Sequence, residues 1–150
     1  MSLIFSHDYQ AQWRDMDANQ HMANAAYLEY ATNTRFLFLD SVGFTADIFA
    51  ERRLGPVVLE DRLMYRREIL MLQTFTVDYQ ATAGTADGRR FGVRNRFSTP
   101  GQGVCATVDS VGLWFDLDAR RPVVPPADLH AAFAQLARAD DYEEWAVPPR

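Results

Sequence analysis

Trp13-Arg14-Asp15-Met16-Asp17-Ala18-Asn19-Gln20-His21-Met22-Ala23-Asn24-Ala25-Ala26-Tyr27 decides how this chain reads. The stretch closes a run, Tyr9 to Arg14, that alternates large apolar with polar residues as a half-buried strand does, and then sets two carboxylates in a polar loop. From Asn24 the period turns helical. Tyr27, Leu28, Ala31, Phe38, Leu39 and Val42 share one broad stripe, Asn24 is a good N-cap and Gly43 a good stop. Phe36 and Leu37 fill in around the second half, which predicts a largely buried helix. A carboxylate beside a helix start is a catalytic geometry: the first amides are unpaired, carry partial positive charge and can hold a developing oxyanion.

Downstream, a short helix is predicted around Thr45 to Arg52, and Gly55-Pro56 opens a long extended run from Val57 to Ile69. Thr74 to Ala83 has the cleanest period of two, with Phe75, Val77, Tyr79 and Ala81 on one face. Ala86-Asp87-Gly88 signals a hairpin into the alternating run Arg90 to Ser98, and Thr99-Pro100-Gly101-Gln102-Gly103 a second turn into a last long strand, Val104 to Leu117. A C-terminal helix is expected near Ala127 to Arg138. One strand, a long helix, then four strands joined by hairpins imply an α+β domain in which an antiparallel sheet packs on a helix. With no repeat, linker or low-complexity tract, residues 1–150 read as a single domain.

Composition narrows the chemistry. A net charge of −5 argues against nucleic acid as a partner. No apolar run approaches the ~20 residues that span a bilayer, and the first residues lack the basic start of a signal peptide, so the expectation is a cytoplasmic protein with no membrane partner. The single Cys105 alternates with Val104 and Ala106 as a small buried strand residue would, and fits a reducing compartment. All fifteen basic residues are Arg. Without lysine there is no Schiff base and no Walker phosphate loop, whereas arginine forks suit the anionic groups of a small ligand. No metal is expected, for no His-Glu-x-x-His or similar spacing occurs, and no Gly-x-Ser-x-Gly elbow is present.

Asp15 and Asp17 could each cap local backbone, as loop aspartates commonly do, or act on a substrate. His21 reads either as a hydrogen-bonded loop histidine or as a group that orients those carboxylates. Tyr27 reads as helix-face packing that also lines a pocket. Arg89-Arg90 with Arg94 and Arg96 is the densest cationic cluster, either a solvated strand face or a phosphate grip, and Arg66-Arg67 is a second pair.

The Asp15-x-Asp17, His21, Asn24 and Tyr27 pattern resembles the signature of the hydroxybenzoyl-coenzyme A thioesterase family of the hot-dog fold, and the likeness extends loosely from Tyr9 to Phe115. One departure is Thr32, where relatives often carry an acidic residue five places after the tyrosine. The resemblance implies a five-stranded antiparallel sheet wrapped around a long central helix, plus the C-terminal helix, and an acyl-CoA thioesterase that releases a carboxylic acid and free CoA. By it Asp17 is the nucleophile or general base, the backbone N–H of Asn24 the oxyanion donor and His21 a third member of the site. Tyr27, Arg89 and Arg90 would bind substrate. No cofactor is implied, since CoA belongs to the substrate. A homodimer or homotetramer is implied because family sites form between subunits, and Glu60 could then reach a partner's site. An acyl-carrier-protein thioesterase and a non-catalytic acyl-thioester binder are the alternatives.

Overall fold

Two tight turns and one buried strand face organise the sheet. The computed structural model describes residues 4–148. Along the chain come β1 (Phe5–Gln10), α1 (Asn24–Ser41), α2 (Ala46–Arg52), β2 (Leu54–Tyr65), β3 (Thr74–Thr85), β4 (Arg90–Thr99), β5 (Gly103–Asp116), β6 (Arg121–Pro122), α3 (Ala127–Phe133) and β7 (Arg138–Trp145). The β3–β4 turn closes as Asp87 Oδ1 accepts from the Thr85 hydroxyl and the Arg89 amide, with Gly88 at φ 77°, where a side chain would be strained. Strand order is β1-β3-β4-β5-β2, antiparallel throughout, and β2 is a twelve-residue edge. The long helix lies against this curled sheet, so the hot-dog arrangement expected from the signature is the one observed.

Several boundaries move, each for a tertiary reason. The first strand lies at Phe5–Gln10, earlier than Tyr9 to Arg14, because β3 offers it partners from Tyr79 to Thr74 and no further. Beyond it Trp13–Asp15 forms a 3₁₀ turn closed by the Asp15 carboxylate on the Gln12 amide. The long β2 starts at Leu54 and ends at Tyr65, where the Arg66 and Arg67 amides both turn to the Cys105 carbonyl. The sheet has seven strands rather than five. The last helix stops at Phe133, and Arg138–Trp145 returns as β7 beside the second half of β3, parallel to it. Four carboxylates in β7 hide that strand from propensity. Its place comes from the Ala81 amide on the Ala137 carbonyl and from the Arg138 guanidinium 4.1 Å from the Tyr142 ring centre.

α1 buries one side only. Ala26, Tyr27, Ala31, Thr34, Phe38 and Leu39 face the sheet, while Leu28 is half-buried and Phe36 exposed, so the expectation of a largely buried helix fails: a single curled sheet covers one face. The core divides along the helix. Tyr27, Ala31, Phe75, Val77 and Phe97 pack around its first half and Phe38, Leu39, Tyr79, Val93 and Trp114 around its second. Between them runs a polar layer, where Arg35 Nε donates to Asn95 Oδ1 at 2.8 Å and Nη2 to Ser110 Oγ at 2.7 Å, and Ser110 in turn donates to Asp61. Among the described residues no helix is long and apolar enough to cross a membrane.

Candidate active site

The loop between β1 and α1 separates its two aspartates. Asp15 is buried. Its carboxylate accepts from the Gln12 amide at 2.9 Å and from the Tyr30 hydroxyl at 2.5 Å, and its carbonyl takes the Ala23 amide at 2.8 Å. It is a brace: it fixes both ends of the loop and pushes the Tyr30 phenol well above its usual range, burial contributing most and the carboxylate adding to it. Asp17 is a third exposed, with Oδ1 taking the Asn19 amide at 2.9 Å in a local turn and Oδ2 left 3.8 Å from His21 Nδ1. Its own backbone is pinned by pairing with the His21 carbonyl, so the loop fixes the point from which the carboxylate reaches the cavity.

Asp17, His21, Met22, Asn24, Tyr27, Tyr65, Arg66, Arg67 and Glu68 surround an open cavity of about 490 Å³. His21 stands between two acids, Asp17 on one nitrogen and Glu68 Oε2 3.8 Å from the other. The N-cap of α1 is Ala23, not Asn24, and no side chain caps the helix. Asn24 is the first helical residue; its Oδ1 takes the Ala25 amide at 3.0 Å, and its own N–H, a first-turn amide, has no acceptor among the described residues. A free amide with the helix dipole behind it is an anion donor. Tyr27 rests its ring edge-on against Tyr65 and Phe97, at 5.2 and 5.0 Å between centres. Burial first, then the charges and phenols nearby, Asp17 and Glu68 among them, pushes its phenol up to about 12, so it remains a proton donor at neutral pH.

The arginine cluster expected to grip phosphate lies away from the Asp17 cavity. Arg89 bonds Asp87, Arg94 is clamped by Asp109 and Asp141, and Arg96 pairs with Asp78. Arg90 sits over the Trp145 ring and, with Glu60, lines a separate cavity. In register Arg90 pairs with Leu113 while the Asp17 end of the sheet is at Tyr65 and Ala106, roughly 20 Å away along β5 at strand rise. Within one chain, therefore, Arg89 and Arg90 do not meet Asp17, and the cations at its cavity are Arg66 and Arg67. Sequence reading gave Glu68 and Tyr65 no role. They belong to the segment that the His21–Leu70 bridge draws to the loop, a contact invisible to local pattern.

A second cavity of about 180 Å³ opens between α1 and β2, with Leu39, Val58, Tyr79, Phe91, Trp114 and Phe133 in its wall and Arg35 and Ser110 at one side.

Known proteins share this fold. Solved structures with the same fold include the protein SAV2348 of Staphylococcus aureus in complex with CoA (TM-score 0.81, 19% identity, 89% of this chain and 84% of that one) and Slr0204, a 1,4-dihydroxy-2-naphthoyl-CoA thioesterase of Synechocystis (TM-score 0.77, 14% identity, 87% and 96%). The acyl-acyl carrier protein thioesterase ATL3, chloroplastic, of Arabidopsis thaliana is 25% identical over 137 residues, 90% of this chain and 71% of that protein. The model of the thioesterase-like superfamily matches residues 11–133, from just after β1 to the end of α3. The chain is a thioester hydrolase and belongs to the thioesterase-like superfamily.

Proposed function

We propose that this protein hydrolyses acyl-CoA thioesters, with Asp17 as general base or nucleophile. The observation that carries the reading is the cavity that holds a loop carboxylate and an unpaired helix-start amide together. The thioester carbonyl oxygen binds the Asn24 N–H, and the Tyr27 phenol, neutral and without a partner among the described residues, supplies a further donor at the same oxygen or to the attacking water. Asp17 then takes the proton of that water, or itself attacks the carbonyl carbon to give an anhydride that water opens. The thiolate leaves and is protonated, giving acid and free CoA. His21, between Asp17 and Glu68, orients the loop carboxylate.

Arg66 and Arg67 at the mouth grip the phosphates of CoA as forked cations. The acyl group runs past Leu28 and Leu63, which are half-buried against the first core cluster, towards the apolar second cavity. Leu39 in that cavity stands fifteen residues beyond Asn24, about 22 Å along the helix, which suits a long chain. The site works as a homodimer or a homotetramer. Support for that lies in the exposed β2 edge, where Val58, Leu59, Met64 and Tyr65 are uncovered. A cytoplasmic location goes with the buried, unpaired thiol of Cys105.

Release of free thiol from a panel of acyl-CoAs, read colorimetrically, tests the proposal: steady turnover that rises with chain length supports it, and absence of turnover across the panel rejects it. A carrier-bound acyl group is the second reading, favoured by the Arabidopsis relative. The same panel on acyl carrier protein separates the two by kcat/KM.

A further inference from the structure

Beside the mouth of the Asp17 cavity the molecule carries an uncovered apolar point. Trp13 is 80% exposed, and Leu70, Met71 and Leu72 are 47%, 47% and 62% exposed on the turn between β2 and β3. The two segments are tied together: the Leu72 amide donates to the Ala11 carbonyl, the Ala11 amide to the Gln73 carbonyl, and the Gln10 side chain to the Leu72 carbonyl. Leu72 has φ 65°, in the left-handed region where a branched side chain is strained and Gly or Asn is at ease. A turn that spends three large aliphatic side chains on solvent, one of them in a strained position, is built to meet something apolar.

The cations around this point lack partners. Arg14, next to Trp13, and Arg66 and Arg67 at the mouth form no ion pair among the described residues, and the nearby acids have other partners, Asp15 taking the Tyr30 hydroxyl and Asp17 and Glu68 each standing 3.8 Å from His21. In a chain of net charge −5, free arginines around an apolar point form a local complement to an anionic surface. The shape favours lipid over protein. Four side chains on a turn and a 3₁₀ step are few beside the roughly 20–30 residues a side of a specific protein interface, but enough to enter a headgroup layer.

We propose that this end of the molecule docks on an anionic lipid surface, with Trp13 and the Leu70–Leu72 turn in the boundary between headgroups and acyl chains and Arg14 against lipid phosphates. The cavity mouth then faces the bilayer, where long acyl chains reside. The docking stands independently of the chemistry assigned to Asp17. No continuous apolar run marks this patch, because folding gathers it from residues 13 and 70–72.

The test is co-sedimentation of the whole protein with vesicles of phosphatidylcholine alone and of phosphatidylcholine mixed equally with phosphatidylglycerol, at low and high salt. Binding to the mixed vesicles, weakened by salt, with a blue shift of tryptophan emission is expected; Trp114 is buried and Trp145 half-buried beside Arg90 at the far end of the sheet, so the exposed Trp13 dominates the shift. Met71→Ser with Leu72→Asn should lower partitioning about tenfold or more. Leu72→Asn alone should also weaken binding while leaving Tm unchanged or higher, an effect that a merely structural role for the turn would not produce. Equal sedimentation of wild type and variants, no binding to either vesicle, loss of self-association in the variants, or capture of acyl carrier protein by this patch in place of lipid would each overturn the proposal.

Discussion

The Tyr30 hydroxyl donates to Asp15 Oδ2 at 2.5 Å, across fifteen residues of sequence, and thereby divides the labour of the two loop aspartates. Asp15 is buried, with the phenol and the Gln12 amide both on Oδ2, whereas Asp17 is a third exposed at the cavity, and that difference in access is why the proposed base is Asp17.

Asp17→Asn should lower kcat by about 10²–10⁴ with an unchanged melting temperature, the range for loss of a general base. Asp15→Asn should instead destabilise the fold, by about 1.5–3 kcal/mol for a lost buried charged acceptor, and spare most of the turnover per folded molecule. Thiol-release kinetics beside urea unfolding distinguishes them. The opposite pattern would exchange the two roles.

Tyr27→Phe keeps the ring against Tyr65 and Phe97 and removes only the hydroxyl. kcat should fall about tenfold with little change in KM, as for a donor that acts in the transition state. An unaltered kcat would reduce Tyr27 to packing.

Arg66→Ala with Arg67→Ala should raise KM for acyl-CoA about tenfold and spare an acyl-pantetheine that lacks the nucleotide phosphates. Should Arg89→Ala with Arg90→Ala produce that pattern instead, the grip comes from a partner chain.

Gly112→Ala would set a Cβ 2.7 Å from the Phe91 ring and 3.1 Å from the Val57 carbonyl oxygen. Phe91 packs on Trp114 and Phe133, so overpacking should cost about 1–3 kcal/mol in chemical denaturation and shorten the preferred acyl chain by pressing the ring into the second cavity. Wild-type stability and chain preference together would remove that cavity from the substrate path.

Burial raises the Tyr27 phenol from 10.0 to about 12, and raises Tyr79 and Tyr30 as well. For a group whose folded pKa lies above its unfolded one, the stability it contributes is complete below the unfolded value and disappears as pH rises through the folded one. Thermal stability should hold up to pH 10 and fall between there and 12, less steeply in Tyr27→Phe. A flat profile across that window would contradict the burial.

Much of this was legible in residue patterns, where the determinants are local. The period change at Asn24, the Asp87-Gly88 turn and the alternating Phe75, Val77 and Tyr79 mark α1, a hairpin and a core face through neighbours within a few positions. What escaped depends on distant contact. Asp15 is told from Asp17 only by Tyr30, Arg66 and Arg67 reach the cavity only because β2 ends at Tyr65, and β7 becomes a strand only when β3 lies beside it. Asn24 has an N-cap's chemistry, yet the helix begins at it rather than after it, because the Ala23 amide is already held by the Asp15 carbonyl.

The two sides of the sheet are unlike. On one, β3 is flanked first by six-residue β1 and then by β7, an interrupted rim whose β7 half bears Asp140, Asp141, Glu143 and Glu144. On the other, β2 runs unbroken for twelve residues with apolar side chains uncovered. Carboxylates and a broken rim repel an incoming strand, and a long bare one invites it. A copy that joined along β2 about a two-fold axis would use up that edge on both molecules, so pairing through this edge would close at two and could not run on into a fibre.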